Sequence, residues 1–200
     1  MTRIQPLPRR RAALLIRPLY GIVRRRYGRE VDSLGVYAHA PSLLVGYGIF
    51  EQATTAQKRV PARLKALAVL KAAALVSCEF CCDIGSHLAR EAGVGERQLL
   101  ALANHRESEE FDELERLVID YACAMSATPP QVDEELFARL REHFDERQLV
   151  ELTSEIALEN MRARFNRALD VDPAGFSEGR VCAVAEAGAP QPRPGERAAA

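Results

Sequence analysis

Three of the five cysteines fall in one stretch, Ser77-Cys78-Glu79-Phe80-Cys81-Cys82-Asp83-Ile84-Gly85-Ser86-His87. Cys78 and Cys81 form a Cys-x-x-Cys pair. On a helix, residues three apart share a face, with Cα atoms roughly 5–5.5 Å apart, inside the range that a disulfide bridges. The thiolate is the reactive form, and a helix N-terminus lowers a thiol pKa through its free N–H groups and partial positive charge. A pair so placed supports a two-step redox reaction. One thiolate attacks a peroxide oxygen or a disulfide sulfur, and the second thiol resolves the product into an internal disulfide that an external reductant resets.

The neighbours of the pair offer auxiliary groups. Cys82, four residues after Cys78, lies on the same helical face, as an alternative resolving thiol or as a packing residue. Glu79 is a candidate base or a solvated carboxylate. Asp83 and His87, four apart, are spaced for a carboxylate–imidazole contact that would orient the ring and raise its proton affinity. A buried cysteine also serves as a small core residue, so packing alone is a competing account of these thiols. A closed zinc site needs four ligands, usually two such pairs. Here only Cys82 and His87 lie nearby, with Cys123 and Cys182 far along the chain, so no metal is expected. No Gly-rich phosphate loop and no Gly-x-Ser-x-Gly elbow is present, which excludes nucleotide and serine-hydrolase readings.

The elements that must hold this stretch read as helices. Alanine and leucine dominate, and no sustained apolar–polar alternation marks a strand. Prolines at 18, 41, 61, 129 and 130 suggest boundaries. Helices are expected over Ser42 to Gln57, from Pro61 to about Val76, from Phe80 to Glu91 with Gly93 as its stop, and over a short Glu96 to Ala103. Phe111, Leu114, Leu117, Val118, Tyr121, Ala122 and Met125 form one apolar stripe. Asp133 caps a helix from Glu134 to His143. Asp145, with Gln148 three residues on, opens a last helix carrying Leu149, Leu152, Ile156, Met161 and Phe165 toward a core. Asn160, Arg162, Arg164 and Asn166 crowd one polar stretch of that helix and suggest a solvated face with one satisfied buried amide. Glu155 and Glu159 are four apart, but no helical partner carries the pattern a metal site would need. From Gly188 the chain is rich in Pro, Gly and Ala, and disorder is expected. The expected architecture is one all-α domain of about six to eight helices. It comprises a basic arm over 1–30, a helical domain over 31–175 and a flexible tail over 176–200.

At 200 residues and 22.1 kDa the chain is long enough to build one sizeable core unaided. The net charge of −1 gives no global field for nucleic acid. It hides an asymmetry, because the first 29 residues hold nine arginines and no acid, leaving −10 for the other 171. Three readings of the arm stay open: it lies on an acidic face of its own domain or of a neighbouring subunit, it is a solvated and partly helical tail, or it touches a membrane surface or nucleic acid. No nucleic-acid partner is expected. No export signal or membrane span is expected either, since Ala12 to Ile16 is short and Lys71 interrupts the apolar run Ala66 to Val76. The odd cysteine count then points to thiols in a reducing, cytoplasmic setting.

The run from Leu64 through Gly93 resembles the alkylhydroperoxidase D-like superfamily, which includes the carboxymuconolactone decarboxylase family. The register is carried by Ala66 through Ser77 leading into Cys78-Glu79-Phe80-Cys81. Glu115-Arg116-Leu117, Val132 to Phe137, Glu151-Leu152 and Asn160 to Asn166 extend it over roughly residues 38 to 170. The resemblance implies an all-helical domain that assembles with itself, often as trimers or hexamers. It also implies cysteine-based peroxide chemistry with no metal or organic cofactor, and an unknown protein or thiol reductant. The sequence departs from the redox branch at three places. The glutamate twelve residues before the first cysteine is Ala66, the histidine four after the second is Gly85, and a histidine between the cysteines is Phe80. His87 stands two residues beyond the expected position, a helical rotation of about 200°. Without that relay, general acid–base help worth roughly 10²–10⁴-fold is missing, and weak peroxidase activity is expected. Two other functions stay open: a lactone decarboxylase-type lyase, which needs cationic groups for its substrate's carboxylates, and a non-catalytic oligomeric scaffold.

Overall fold

A computed structural model describes residues 2–183. Among these residues nine α-helices and two short 3₁₀ turns carry the fold, and no strand occurs. The helices are α1 (Arg17–Tyr27), α2 (Asp32–Tyr37), α3 (Pro41–Thr55), α4 (Ala62–Leu75), α5 (Glu79–Glu91), α6 (Glu96–Ala101), α7 (Glu113–Ser126), α8 (Glu134–His143) and α9 (Glu146–Ala168). None of them is long and apolar enough to cross a membrane.

The central element is α4, which packs against α5, α7 and α9. It is apolar around most of its circumference, as a helix enclosed by others must be. Leu67, Leu70, Ala68 and Ala72 to Ala74 are essentially inaccessible, and the alanines let α5 and α9 approach closely. The α7 stripe meets this helix through Leu117, Val118, Tyr121 and Ala122, and Leu140 of α8 with Leu152 and Ile156 of α9 closes that half of the core. Asp112, Asp133 and Asp145 cap α7, α8 and α9 by accepting the N–H three residues on. Gly93, at φ +88°, follows the end of α5 in the left-handed conformation that glycine adopts without strain. Met161 departs from the expected core face and stands 44% exposed. Five residues past Ile156, it is rotated by about 140° from it. Buried carboxylates run along α9, with Lys65 of α4 pairing Glu151 at 2.7 Å and Glu155 at 3.4 Å.

The basic arm is folded onto the domain, and its anchors are apolar rather than ionic. Ala12, Ile16 and Tyr20 are buried against Leu34, Tyr37, Ala38 and Leu44. The Tyr20 hydroxyl donates to the Leu7 carbonyl at 2.6 Å. Most of the arginines remain exposed, while Arg26 reaches Glu91 of α5 at 3.4 Å. The short α2 exists to receive this arm. Its Gly35 accepts the Leu7 N–H at 3.0 Å, and a Cβ there would lie 2.6 Å from the Pro6 Cβ and 3.1 Å from its Cα. Gly35→Ala must therefore displace backbone, and it is expected to lower the unfolding free energy by about 1–3 kcal/mol. A urea titration checks this, and an unchanged midpoint would show that the arm yields without cost.

Candidate functional site

The chain leaves α4 and enters α5 through a tight link. Ser77 takes φ 55°, a left-handed conformation uncommon for a residue with a side chain. Its N–H bonds Ala74 O at 2.9 Å and that of Cys78 bonds Ala73 O at 3.2 Å. This turn makes Cys78 the N-cap of α5, with extended backbone, and places Cys81 in the first helical turn. The two form a disulfide with Cα atoms 5.2 Å apart. The spacing matches that of two helical residues, but only Cys81 is helical. As N-cap, the Cys78 sulfur accepts the Cys81 N–H at 3.2 Å, so it faces the unpaired donors and partial positive charge of the helix start.

Both residues are buried, Cys78 at 2% and Cys81 at 4% exposure. A cavity of about 80 Å³ nevertheless opens beside Cys78. It holds a few water-sized groups, such as the end of a hydroperoxide or a thiol. Its wall is Glu79, Asn166, Arg167 and residues 170–173, and of the two cysteines it is Cys78 that borders it. Arg167 and Asp170 pair across 3.5 Å. The N-terminus of the arm braces this wall, for Thr2 donates to the Asp172 carboxylate from its N–H at 2.9 Å and from its hydroxyl at 3.1 Å.

The auxiliary candidates separate in space. Glu79 stays at the cavity, exposed. Cys82 is buried in an apolar cluster with Val36, Ala73, Ala74 and Ala163 and lies outside the disulfide. Asp83 and His87 have other partners than each other. Both Asp83 carboxylate oxygens accept backbone N–H groups, from Phe176 at 3.0 Å and Ser177 at 2.6 Å. His87 lies 3.6 Å from Glu91 and stacks on the Phe176 ring. Asp83 thus fastens a strap, residues 173–183, along α5. Ser86 accepts the Ala183 N–H at 3.0 Å and Arg90 donates to the Val181 carbonyl, while Arg29 of the arm holds the Ala174 carbonyl. Of the flexible tail expected over 176–200, residues 176–183 lie along α5 through these bonds, and the rest, including the stretch from Gly188, lies outside the described residues.

One site residue was legible only as part of a polar crowd. Asn166 of α9 is 3% exposed, and its amide donates to the Cys81 sulfur at 3.6 Å. Its Oδ1 accepts the Ser33 hydroxyl of α2 at 3.0 Å. The signal was periodicity: Glu159, Ala163 and Asn166 continue the buried face of α9 at spacings of four and three. A second histidine, His105, bonds Asp120 at 2.9 Å, and its burial pushes its proton affinity down against that bond. Among the described residues no cluster of three or more His, Cys, Asp or Glu side chains is arranged to hold a metal ion.

Known proteins share this arrangement of helices. Residues 41–123 match the carboxymuconolactone decarboxylase family. The uncharacterised protein YnjA of Escherichia coli (strain K12) is 36% identical over 171 residues, covering 84% of this chain and 93% of that protein. The chain belongs to the carboxymuconolactone decarboxylase family. Within the solved structures, an alkylhydroperoxidase AhpD core, an uncharacterised peroxidase-related protein from Ralstonia eutropha JMP134, superposes with a TM-score of 0.78. It is 19% identical, covering 90% of this chain and 97% of that one. The debrominase Bmp8, crystallised as a cysteine-to-alanine variant with 2,3,4-tribromopyrrole, superposes at 0.75 with 25% identity, covering 88% and 94%. The carboxymuconolactone decarboxylase match spans the sulfur pair but ends before α9 and the strap.

The strap's attachment is testable. Asp83→Ala removes a charged acceptor of two N–H groups, a loss of about 1.5–3 kcal/mol per bond. Hydrogen exchange at Phe176 and Ser177 is expected to accelerate at least about tenfold, with faster alkylation of Cys182. Unchanged exchange would show that the strap is held elsewhere.

Proposed function

We propose that this chain is a thiol–disulfide oxidoreductase that works through Cys78 and Cys81. The observation that carries the reading is the bonded pair at the start of α5, with Cys78 both capping the helix and bordering a small cavity. In the reduced protein the Cys78 thiolate attacks the terminal oxygen of a hydroperoxide. An S–O bond forms, the O–O bond breaks, and the alcohol leaves with a proton. Cys81 then attacks the sulfenic sulfur, water departs and the disulfide closes. An external dithiol returns the pair by attacking Cys78, expelling Cys81 as thiolate, and closing its own disulfide. The sum is one hydroperoxide and one dithiol converted to alcohol, water and one disulfide.

Ala66 and Gly85 stand where the redox branch carries its proton relay, so thiol–disulfide exchange is expected to outpace peroxide turnover. The likeness to the debrominase raises reductive dehalogenation by the same pair as a second reading. A lactone decarboxylase-type lyase is disfavoured by the wall, where Glu79, Asp170 and Asp172 outnumber Arg167. Self-association belongs to the same proposal, with Leu43, Ile49 and Phe50 on the exposed face of α3 offering the apolar surface.

Single substitutions separate the roles. In Cys81→Ser, an aromatic disulfide probe is expected to leave a long-lived mixed disulfide on Cys78. In Cys78→Ser no such species accumulates at Cys81. Both lose dithiothreitol-driven turnover of tert-butyl hydroperoxide by about 100-fold or more. Turnover that survives loss of both cysteines would overturn the proposal in favour of the lyase, and a wild-type protein that never cycles would leave the scaffold.

A further inference from the structure

We infer that the Asn166 side-chain amide, oriented by Ser33, stabilises the Cys81 sulfur as it leaves when the disulfide opens. This rests on the thiol–disulfide reading and adds to it the group that stands in for the missing relay. When an external thiolate attacks Cys78, a new S–S bond forms there and the Cys78–Cys81 bond breaks. The electron pair of that bond passes to the Cys81 sulfur, which becomes a thiolate inside the protein. Such a charge is costly in a buried apolar setting unless a donor meets it. Around Cys81 the cluster is largely hydrocarbon, with Ala73 and Ala74 from α4, Ala163 from α9 and Val36 from α2. The Asn166 amide donates to that sulfur at 3.6 Å and is itself 3% exposed. A disulfide sulfur has no proton to donate, so the nitrogen end of the amide faces it. Ser33 fixes the other end, donating to Oδ1 at 3.0 Å. A hydrogen bond to a sulfur strengthens as the sulfur becomes charged, and a donor already in place pays no reorganisation at that moment.

The device differs chemically from a histidine relay. An amide does not titrate in the working range, so it lowers the energy of the thiolate without protonating it. The proton that Cys81 later takes comes from solvent. The charged groups facing the pair are Glu79 on α5, Arg167 with Asp170 at the end of α9, and Asp172 beyond it. Asp83, also on α5, is engaged with the strap. Asp32 precedes Ser33 on α2, and burial together with the charge of Asp172 pushes its carboxyl above the ordinary range. Between pH 6 and 7 the wild-type rate of reduction is therefore expected to follow thiol ionisation alone, with no histidine-like step.

The test measures the Cys81 thiol directly. In a Cys78→Ser background, pH-dependent alkylation localised to Cys81 by fragment mass spectrometry gives its pKa. Asn166→Ala is expected to raise that pKa by about one unit, a tenfold loss of thiolate at fixed pH. Asn166→Asp should raise it further, because a carboxylate repels the thiolate, and Ser33→Ala should raise it less. With both cysteines present, Asn166→Ala should slow reduction of the disulfide by dithiothreitol about tenfold. Equal pKa values and equal reduction rates in the wild type and all three variants, with helical circular dichroism retained, would overturn the inference. Ser33→Ala retains Asn166 but releases its Oδ1 end, and it carries the test if Asn166→Ala does not fold. Should the wild type fail to turn over peroxide or disulfide, the proposed activity falls while the Cys81 pKa still reports on Asn166.

Discussion

The bond from the Cys81 N–H to the Cys78 sulfur ties the chemistry of this protein to the place where α5 begins. That place is set by the left-handed turn at Ser77 and by the alanines of α4, which fix how closely α5 and α9 can lie. A disulfide is apolar and sits in such a core at little cost. Its reduced form is different, because a buried thiolate loses the solvation that makes it stable in water. The start of a helix offers N–H groups with no internal partner, and one of these meets Cys78. A sulfur pair deep in a helical core therefore needs donors supplied by neighbouring elements, and the architecture around it supplies them.

The family-matched region and the rest of the chain divide the work. Residues 41–123 contain α3 to α6, most of α7 and both sulfurs. The cavity wall comes largely from elsewhere, from Asn166 and Arg167 of α9 and the segment 170–173 after it. The arm, in turn, braces that wall through Thr2 and Asp172, while the strap is fastened by Asp83 and Arg29. Access to the pair is thus determined by chain segments outside the region that defines the fold.

Much of this was legible from residue pattern. The helices from α3 onward follow apolar periodicity and capping residues, with Asp133 and Asp145 at α8 and α9 and Gly93 after α5. The Cys-x-x-Cys pair and its nearness to a helix start could be read from spacing, although Cys78 proves to be the cap itself. The six-residue α2 could not, because it is stabilised by the arm packed on Gly35 rather than by its own propensities. The arginines of the arm suggested an ionic or solvated role, whereas Ile16 and Tyr20 anchor it by burial. Asp83 and His87 have helical spacing for each other, but two backbone N–H groups from the strap, over ninety residues away, take the carboxylate. Local spacing cannot reveal such long-range partners: Asn166 stood in a polar stretch where one satisfied buried amide was expected, but its contacts with Cys81 and Ser33 could not be read from it.

A redox titration of the whole chain against defined dithiothreitol ratios, quenched by alkylation and read by peptide mass spectrometry, tests the central claim most directly. The account predicts one reversible two-electron transition confined to Cys78 and Cys81, with the two alkylated or protected together. Cysteines that respond independently, or a pair that stays unreactive at every ratio while the protein remains folded, would contradict it.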